Sequence, residues 1–190
     1  MDVGMISLGE ALKNKEVSDF LINSFACPVN KEIELFLKEK AVTFEKRELA
    51  KTFLVYNRES DGYQHLLGYF ALGIKSLNTS HLTSKTLKKK VTGSTTKDDN
   101  AVLLLGQIGR NFNETLGVKN PISGDGLISL ALQTLLEANA FIGGRVVLVE
   151  CKDISHLRQF YEQEGFQYLD KEDDLLRYIL PISVLKRTYH

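Results

Sequence analysis

Apolar residues along the chain fall into a few runs with either a two-residue or a three-to-four-residue period, and these runs name the elements. Val102-Leu103-Leu104-Leu105 is continuous and ends in Gly106-Gln107-Ile108-Gly109, the pattern of a strand buried on both faces and closed by small residues. Further on, Leu127, Ile128, Leu130, Ala131, Leu132, Leu135 and Leu136 recur at helical spacing with no breaker, directly after Pro121-Ile122-Ser123-Gly124-Asp125-Gly126. A glycine loop therefore opens a long helix, and Gly143-Gly144 closes it. Arg145-Val146-Val147-Leu148-Val149-Glu150-Cys151 is a second buried strand, which completes a strand–helix–strand unit.

The flanks read less uniformly. Met5-Ile6-Ser7-Leu8 predicts a short first strand, followed by a polar segment to Ser18 with no clear period. Ile33, Phe36, Leu37 and Ala41 share one face of an amphipathic helix that begins after Pro28. Thr52-Phe53-Leu54-Val55-Tyr56 and the run from Leu66 to Ile74 predict an antiparallel hairpin, with turn chemistry between them at Asp61-Gly62. Residues 79–100, rich in Ser, Thr and Lys, read as a basic, mobile insert. Asp153 is placed to cap a helix with Leu157, Phe160 and Tyr161 inward and Gly165 at its left-handed end, and the run from Leu175 to Ile182 is the last strand. This order of elements predicts an α/β (α+β) fold: a mixed central sheet with helices on both faces.

Composition narrows the classes. A chain of 190 residues is long enough for one sizeable core, so residues 1–190 are expected to form a single domain. Lys plus Arg and Asp plus Glu number 24 each, so any polyanionic partner must be met by a local patch rather than by the field of the whole molecule. No apolar run approaches bilayer length and the N-terminus lacks a secretory pattern, so the expected location is the cytoplasm and no membrane partner is expected. Cys27 and Cys151 read as buried free thiols; His65, His81, His156 and His190 are scattered, and no metal site is expected. Lys88-Lys89-Lys90 reads either as a solvated helix face or as part of an anion patch.

The glycine loop has a chemical use. The first N–H groups of a helix lack internal partners and carry the positive end of its dipole, so a loop without side-chain bulk lets a diphosphate reach them. An ordinary tight turn accounts for two glycines equally well. The loop lies beyond the carboxyl end of the Val102–Leu105 run, which is where ligands of open α/β sheets bind. A phosphate-loop nucleotide site is a poor fit, because neither Lys-Ser nor Lys-Thr follows Gly126.

Taken in order, Leu105-Gly106-Gln107-Ile108-Gly109-Arg110, Ser123-Gly124-Asp125-Gly126-Leu127, Val146-Val147-Leu148-Val149, Phe160-Tyr161-Glu162-Gln163-Glu164-Gly165-Phe166 and a last strand closing in Leu180-Pro181 resemble the GNAT superfamily of N-acetyltransferases. Phe25-Ala26-Cys27-Pro28 before the amphipathic helix, and Leu67-Gly68-Tyr69-Phe70-Ala71-Leu72, are similar to its toxin branch. The resemblance implies a mostly antiparallel sheet with splayed central strands, acetyl-CoA as co-substrate and a primary amine as acceptor, on a small molecule, a protein or a charged tRNA. It also admits an antitoxin protein and a homodimer. Ile108, Gly109 and Arg110 would meet the pantetheine arm; Ile122, Ser123, Gly124, Asp125 and Gly126 would cradle the pyrophosphate; Phe160 would flank the cofactor. Tyr161 aligns with the tyrosine that protonates the departing thiolate, although the same position suits an aromatic core residue. The charged-tRNA version of this reading expects a basic face around Lys85, Lys88, Lys89, Lys90 and Lys97. Two features depart from the family. Pro121 stands where Gln or Arg usually precedes the glycines, and the stretch 110–120 is long. Glu150 is a weak candidate for a general base. The competing class is a non-catalytic CoA-binding module that acts through protein contacts.

Overall fold

The computed structural model describes residues 2–58, 64–113 and 120–189. The turn signal at Asp61-Gly62 and the middle of the long stretch 110–120 lie outside the described residues. In chain order the elements are β1 (Asp2–Ser7), α1 (Leu8–Ala11), α2 (Lys15–Asn23), α3 (Lys31–Leu35), a π-helical turn (Phe36–Lys40), α4 (Ala41–Lys46), β2 (Lys51–Arg58), β3 (Gln64–Asn78), α5 (Lys85–Thr92), β4 (Asp99–Arg110), α6 (Gly124–Ile142), β5 (Val146–Lys152), α7 (Ser155–Gln163), β6 (Gln167–Glu172), β7 (Leu175–Pro181) and α8 (Ile182–Tyr189). The strands run β1-β2-β3-β4-β5-β7-β6 in one mixed sheet. β4 and β5 pair in parallel, whereas β1–β2, β2–β3, β5–β7 and β6–β7 are antiparallel. No helix among the described residues is long and apolar enough to cross a membrane. The chain divides into two compact units, residues 1–72 with 107–130 and residues 73–106 with 131–190.

In the first unit the unpatterned segment before Ser18 folds as two short helices, because capping residues specify them where periodicity does not. Ser7 Oγ accepts from the Glu10 amide at 3.2 Å to start α1, and Asn14 Oδ1 accepts from the Val17 amide at 3.3 Å to start α2. Leu8, Ala11, Leu21, Phe25, Leu37 and Ala41 are buried against Leu54, Leu66 and Tyr69 of the sheet. Tyr69 is the centre of this layer: Phe25 meets its ring edge-on at 5.1 Å, Phe36 stacks on it at 6.3 Å, and its hydroxyl donates to the Ile33 carbonyl at 2.6 Å.

Two glycines allow this layer and α6 to approach the strands closely. A Cβ on Gly109 would stand 2.3 Å from Cγ2 of Ile33, and one on Gly68 would stand 2.8 Å from the Gly109 carbonyl and 2.9 Å from Leu127. Both sheet faces in this unit are therefore covered by helix. β4 also runs on to Arg110 instead of closing at residues 106–109, since those small residues are where neighbours pack, not where the strand stops.

The second unit contains the Ser- and Lys-rich stretch. Ser84 Oγ accepts from the Leu87 amide at 3.3 Å and Gly93, at φ +78°, ends α5, so a capped helix forms within it. Val91 packs with Leu77, Val102, Val146, Leu148, Leu169 and Ile179. Next along β7, Tyr178 is buried and meets Tyr161 of α7 at 6.2 Å. Asp153 does not cap α7: the cap position is Ile154, without a side-chain bond, because the Asp153 carboxylate is taken by Arg158. Gly165 ends the helix at φ +84°, as expected. β6 and α8 were not legible. β6 has a single buried side chain, Leu169, and α8 starts directly from β7 at Ile182.

A carboxylate fixes the entry to α3. Glu34 accepts from the Cys27 amide at 2.9 Å, from Lys31 at 3.1 Å and from Lys38 at 3.0 Å. The Cys27 amide and then the two lysines lower its pKa from 4.5 to about 2. A depressed pKa contributes stability above the unfolded value and loses it as pH falls toward the folded one. Glu34→Gln is thus expected to melt below the wild type at neutral pH, with the difference shrinking between pH 4.5 and 2; thermal melts across that range test it, and a constant difference contradicts it.

Candidate active site

The site expected from the sequence begins where β4 leaves β5. The two strands pair at three positions only, Leu103 with Val147, Leu104 with Leu148 and Leu105 with Val149. β4 itself continues for five more residues to Arg110. Gly109 faces the Phe25–Tyr69 layer, so by strand alternation Ile108 and Arg110 point to the opposite face.

The end of β4 is held by asparagine side chains. Asn111 is 4% exposed. Its Oδ1 accepts from the Ala26 amide at 2.9 Å and the Asn113 amide at 3.0 Å, while Nδ2 donates to the Ser24 and Leu66 carbonyls at 3.2 and 2.7 Å. Its own amide donates to the Leu67 carbonyl at 2.8 Å. Asn120 Nδ2 donates to the Leu67 and Asn111 carbonyls at 2.7 and 2.8 Å, and its Oδ1 accepts from the Ile122 amide at 3.1 Å. Arg110 Nη2 closes the ring on the Asn120 carbonyl at 2.9 Å, with the guanidinium 5.6 Å from the Phe112 ring centre. Together these bonds fix where the glycine loop starts relative to β3 and β4.

The loop then offers anion-binding groups. Ser123 Oγ accepts from the Gly126 amide at 3.0 Å and its carbonyl from the Leu127 amide at 3.0 Å, so Ser123 is the cap of α6. With Ile122 and Gly126 satisfied, the amides of Ser123, Gly124 and Asp125 are left without a partner among the described residues. Three adjacent free amides at the start of a 19-residue helix are a fit for a phosphate group. Asp125 is exposed and Pro121 contributes no N–H, so the loop offers backbone donors rather than side-chain cations.

In the second unit, Tyr161 is 7% exposed and packs edge-on against Phe160 at 5.3 Å and Phe166 at 5.6 Å. Burial, with Cys151 nearby, pushes its phenol well above the ordinary value, so the hydroxyl stays protonated across the physiological range. Glu150 accepts a hydrogen bond from Lys75 at 2.6 Å and is an ion-paired residue of β5. Cys27 and Cys151 are free and buried, and burial raises both thiols, which removes them as nucleophiles. Among the described residues no group of three or more His, Cys, Asp or Glu is placed to hold a metal.

Ile108, Gly109, Arg110, Ile122, Ser123, Gly124, Asp125 and Gly126 thus belong to the first unit, and Phe160 and Tyr161 to the second. Sequence reading missed Asn111 and Asn120. The available signal was the recurrence of Asn111, Asn113 and Asn120 at a strand end, where amide side chains can satisfy backbone groups that have left a ladder.

No protein-family model matches the chain, and no curated protein matches it in sequence. Solved structures match it in fold along its whole length. AtaT in complex with acetyl-methionyl-tRNAfMet is 18% identical, with a TM-score of 0.73 and 100% of both chains covered. A tyrosine-to-phenylalanine mutant of KacT is 19% identical, with a TM-score of 0.74 and the same coverage. An AtaT mutant toxin bound to the C-terminus of the antitoxin AtaR and acetyl-CoA is 15% identical, with a TM-score of 0.72, covering 100% of this chain and 99% of that one. The expected mixed-sheet α/β fold is the fold of this chain, shared with these structures.

Asn111→Ala removes a donor and an acceptor that serve buried backbone groups of three segments. The expected cost is about 2–4 kcal/mol of unfolding free energy, measured by denaturant titration. A change below about 0.5 kcal/mol would show that water replaces the side chain.

Proposed function

We propose that the chain is a cytoplasmic, acetyl-CoA-dependent N-acetyltransferase of the toxin type, with the amine of a charged tRNA as acceptor and an antitoxin protein as partner. The observation that carries this reading is the trio of amides at Ser123, Gly124 and Asp125 that have no partner among the described residues. The full-length fold likeness to AtaT supports it, since AtaT has been captured with acetyl-methionyl-tRNAfMet and with acetyl-CoA.

In this reading the three amides hold the diphosphate, and Arg110, kept in place by the Asn120 carbonyl, supplies the positive charge on the loop side. The exposed backbone of β4 at Ile108 and Arg110 pairs with the pantetheine amides. Transfer requires a neutral amine whose nitrogen attacks the thioester carbonyl. The C–N bond forms, the C–S bond breaks, the sulfur takes a proton and the amine nitrogen gives one to water. Tyr161 is the proton donor to sulfur. Its ring is locked by Phe160, Phe166 and Tyr178, and its raised pKa keeps the proton on oxygen until it is needed.

A second reading, a catalytically silent CoA-binding module, is favoured by Pro121 and Asp125. Turnover separates the two. Calorimetry with acetyl-CoA and thiol release with aminoacylated tRNA are both positive for an enzyme. Binding without release identifies the module, and no binding refutes both.

Tyr161→Phe is expected to lower kcat by about 100-fold or more while acetyl-CoA affinity stays within about twofold. The wild-type rate is expected to stay level on the alkaline side up to about pH 10, because the phenol titrates above its ordinary value of about 10. An unchanged kcat in the Phe variant would remove Tyr161 from the mechanism.

A further inference from the structure

The second unit carries a basic groove that the transfer chemistry does not use. One cavity of about 340 Å³ is lined by Lys85, Lys89, Lys90 and Arg145 with two threonines. A second, of about 460 Å³, shares Lys90 and Arg145 and adds Lys186 and Arg187 of α8. Neither lining contains a carboxylate, although the chain has as many acidic as basic residues.

Ion pairing sorts the cations of this unit into two groups. Lys88 is bound to Asp98, Lys75 to Glu150, and Arg177 to Asp170 and Glu172. Lys85, Lys89, Lys90, Arg145, Lys186 and Arg187 meet no carboxylate among the described residues: Lys90 donates to the Gln167 side chain and Arg145 to the Lys90 carbonyl. Six positive side chains converging without a counter-charge repel one another, an arrangement that an incoming polyanion relieves. The basic face expected around Lys85, Lys88, Lys89, Lys90 and Lys97 is thereby redrawn: Lys88 is withdrawn into its pair with Asp98, Lys97 lines neither cavity and donates to Asn100, and Arg145, Lys186 and Arg187 are added.

We propose that this groove docks the phosphate backbone of a structured RNA. The lining favours nucleic acid over an acidic polypeptide, since protein interfaces are depleted in lysine and anchored by aromatic side chains, whereas here lysines dominate and no aromatic residue lines either cavity. Arg145 precedes β5 and Glu150 lies near its far end, five residues on, so the groove is set back from that end by roughly 17 Å at 3.3 Å per residue. Its role is to hold a stem by its phosphates while a single-stranded 3′ end carries the amine onward. This rests on the acetyltransferase reading and assigns to it the surface that recognises the acceptor.

The test compares the wild type with a variant carrying Lys85→Gln, Lys89→Gln, Lys186→Gln and Arg187→Gln, and with a control carrying Lys13→Gln, Lys15→Gln, Lys40→Gln and Lys46→Gln, which changes net charge equally outside the groove. Binding of unacylated tRNA is titrated over a range of salt, and acetyl-CoA binding and melting temperature are measured on all three. The groove variant is expected to lose more than about tenfold in tRNA affinity and to flatten the slope of log K against log salt by about 3, with acetyl-CoA binding and melting unchanged and the control close to wild type. Equal losses in both variants would reduce the effect to net charge and overturn the groove. So would wild-type affinity in the groove variant, or wild-type binding of poly-glutamate but not tRNA. Failure to bind tRNA with acetyl-CoA binding intact overturns this inference and the tRNA acceptor but leaves acetyl-CoA-dependent transfer standing; failure to bind acetyl-CoA overturns the reading beneath it.

Discussion

A strand that outruns its partner needs another anchor at its end, and in this protein Asn111, directly after β4, ties that end to neighbouring segments. The β4–β5 ladder stops at Leu105 and Val149, yet β4 stays extended to Arg110. At the next residue one side chain binds the segment after α2, the start of β3 and the turn that leaves β4. An amide side chain suits this place because it presents a donor and an acceptor at once, without the desolvation cost of a buried charge. Asn120 repeats the device one step later and delivers the chain to Ser123, where the first helical amides have no partner among the described residues. The position of the glycine loop at the start of α6 is thus a consequence of how β4 is terminated.

The same economy of charge runs through the second unit. Asp170 is ionised despite burial, which opposes it, because Arg177 holds it in a two-pronged bond and His81 adds a third contact at 2.6 Å. Arg177 is itself 3% exposed and also reaches Glu172. Where cations are needed for the fold they are paired in this manner. Lys85, Lys89, Lys90, Arg145, Lys186 and Arg187 meet no carboxylate among the described residues, and that contrast separates them from the paired cations, Lys88 of α5 included.

Tyr161 illustrates how packing sets the protonation of a side chain. Its ring fills the layer between α7 and β7, in contact with Phe160, Phe166 and Tyr178, which is the role of an ordinary core aromatic. The same burial that packs the ring raises the phenol pKa and holds the proton on oxygen. Packing and acid function are therefore compatible at this position, and kinetics distinguishes them.

Elements with a strong period were legible from the amino-acid order alone: β4 and β5 from unbroken apolar runs, α6 from its 3.6-residue repeat behind a glycine loop, and the end of α7 from Gly165. These patterns are local and follow from backbone sterics and burial, so they needed no knowledge of neighbours. What escaped was set by partners distant in sequence. α1 and α2 depend on side-chain caps and on a layer centred on Tyr69; Asp153 was drawn from its cap by Arg158; Gly109 proved to be a packing position because Ile33 lies against it. Asn111 reaches Ser24 across 87 residues, and the basic groove joins α5 to α8 across about 90. Chain order determined which segments could be strand, helix or anion loop, whereas only the tertiary structure decided which polar groups met, because a hydrogen bond or an ion pair is specified by a partner in space and leaves no period in the sequence.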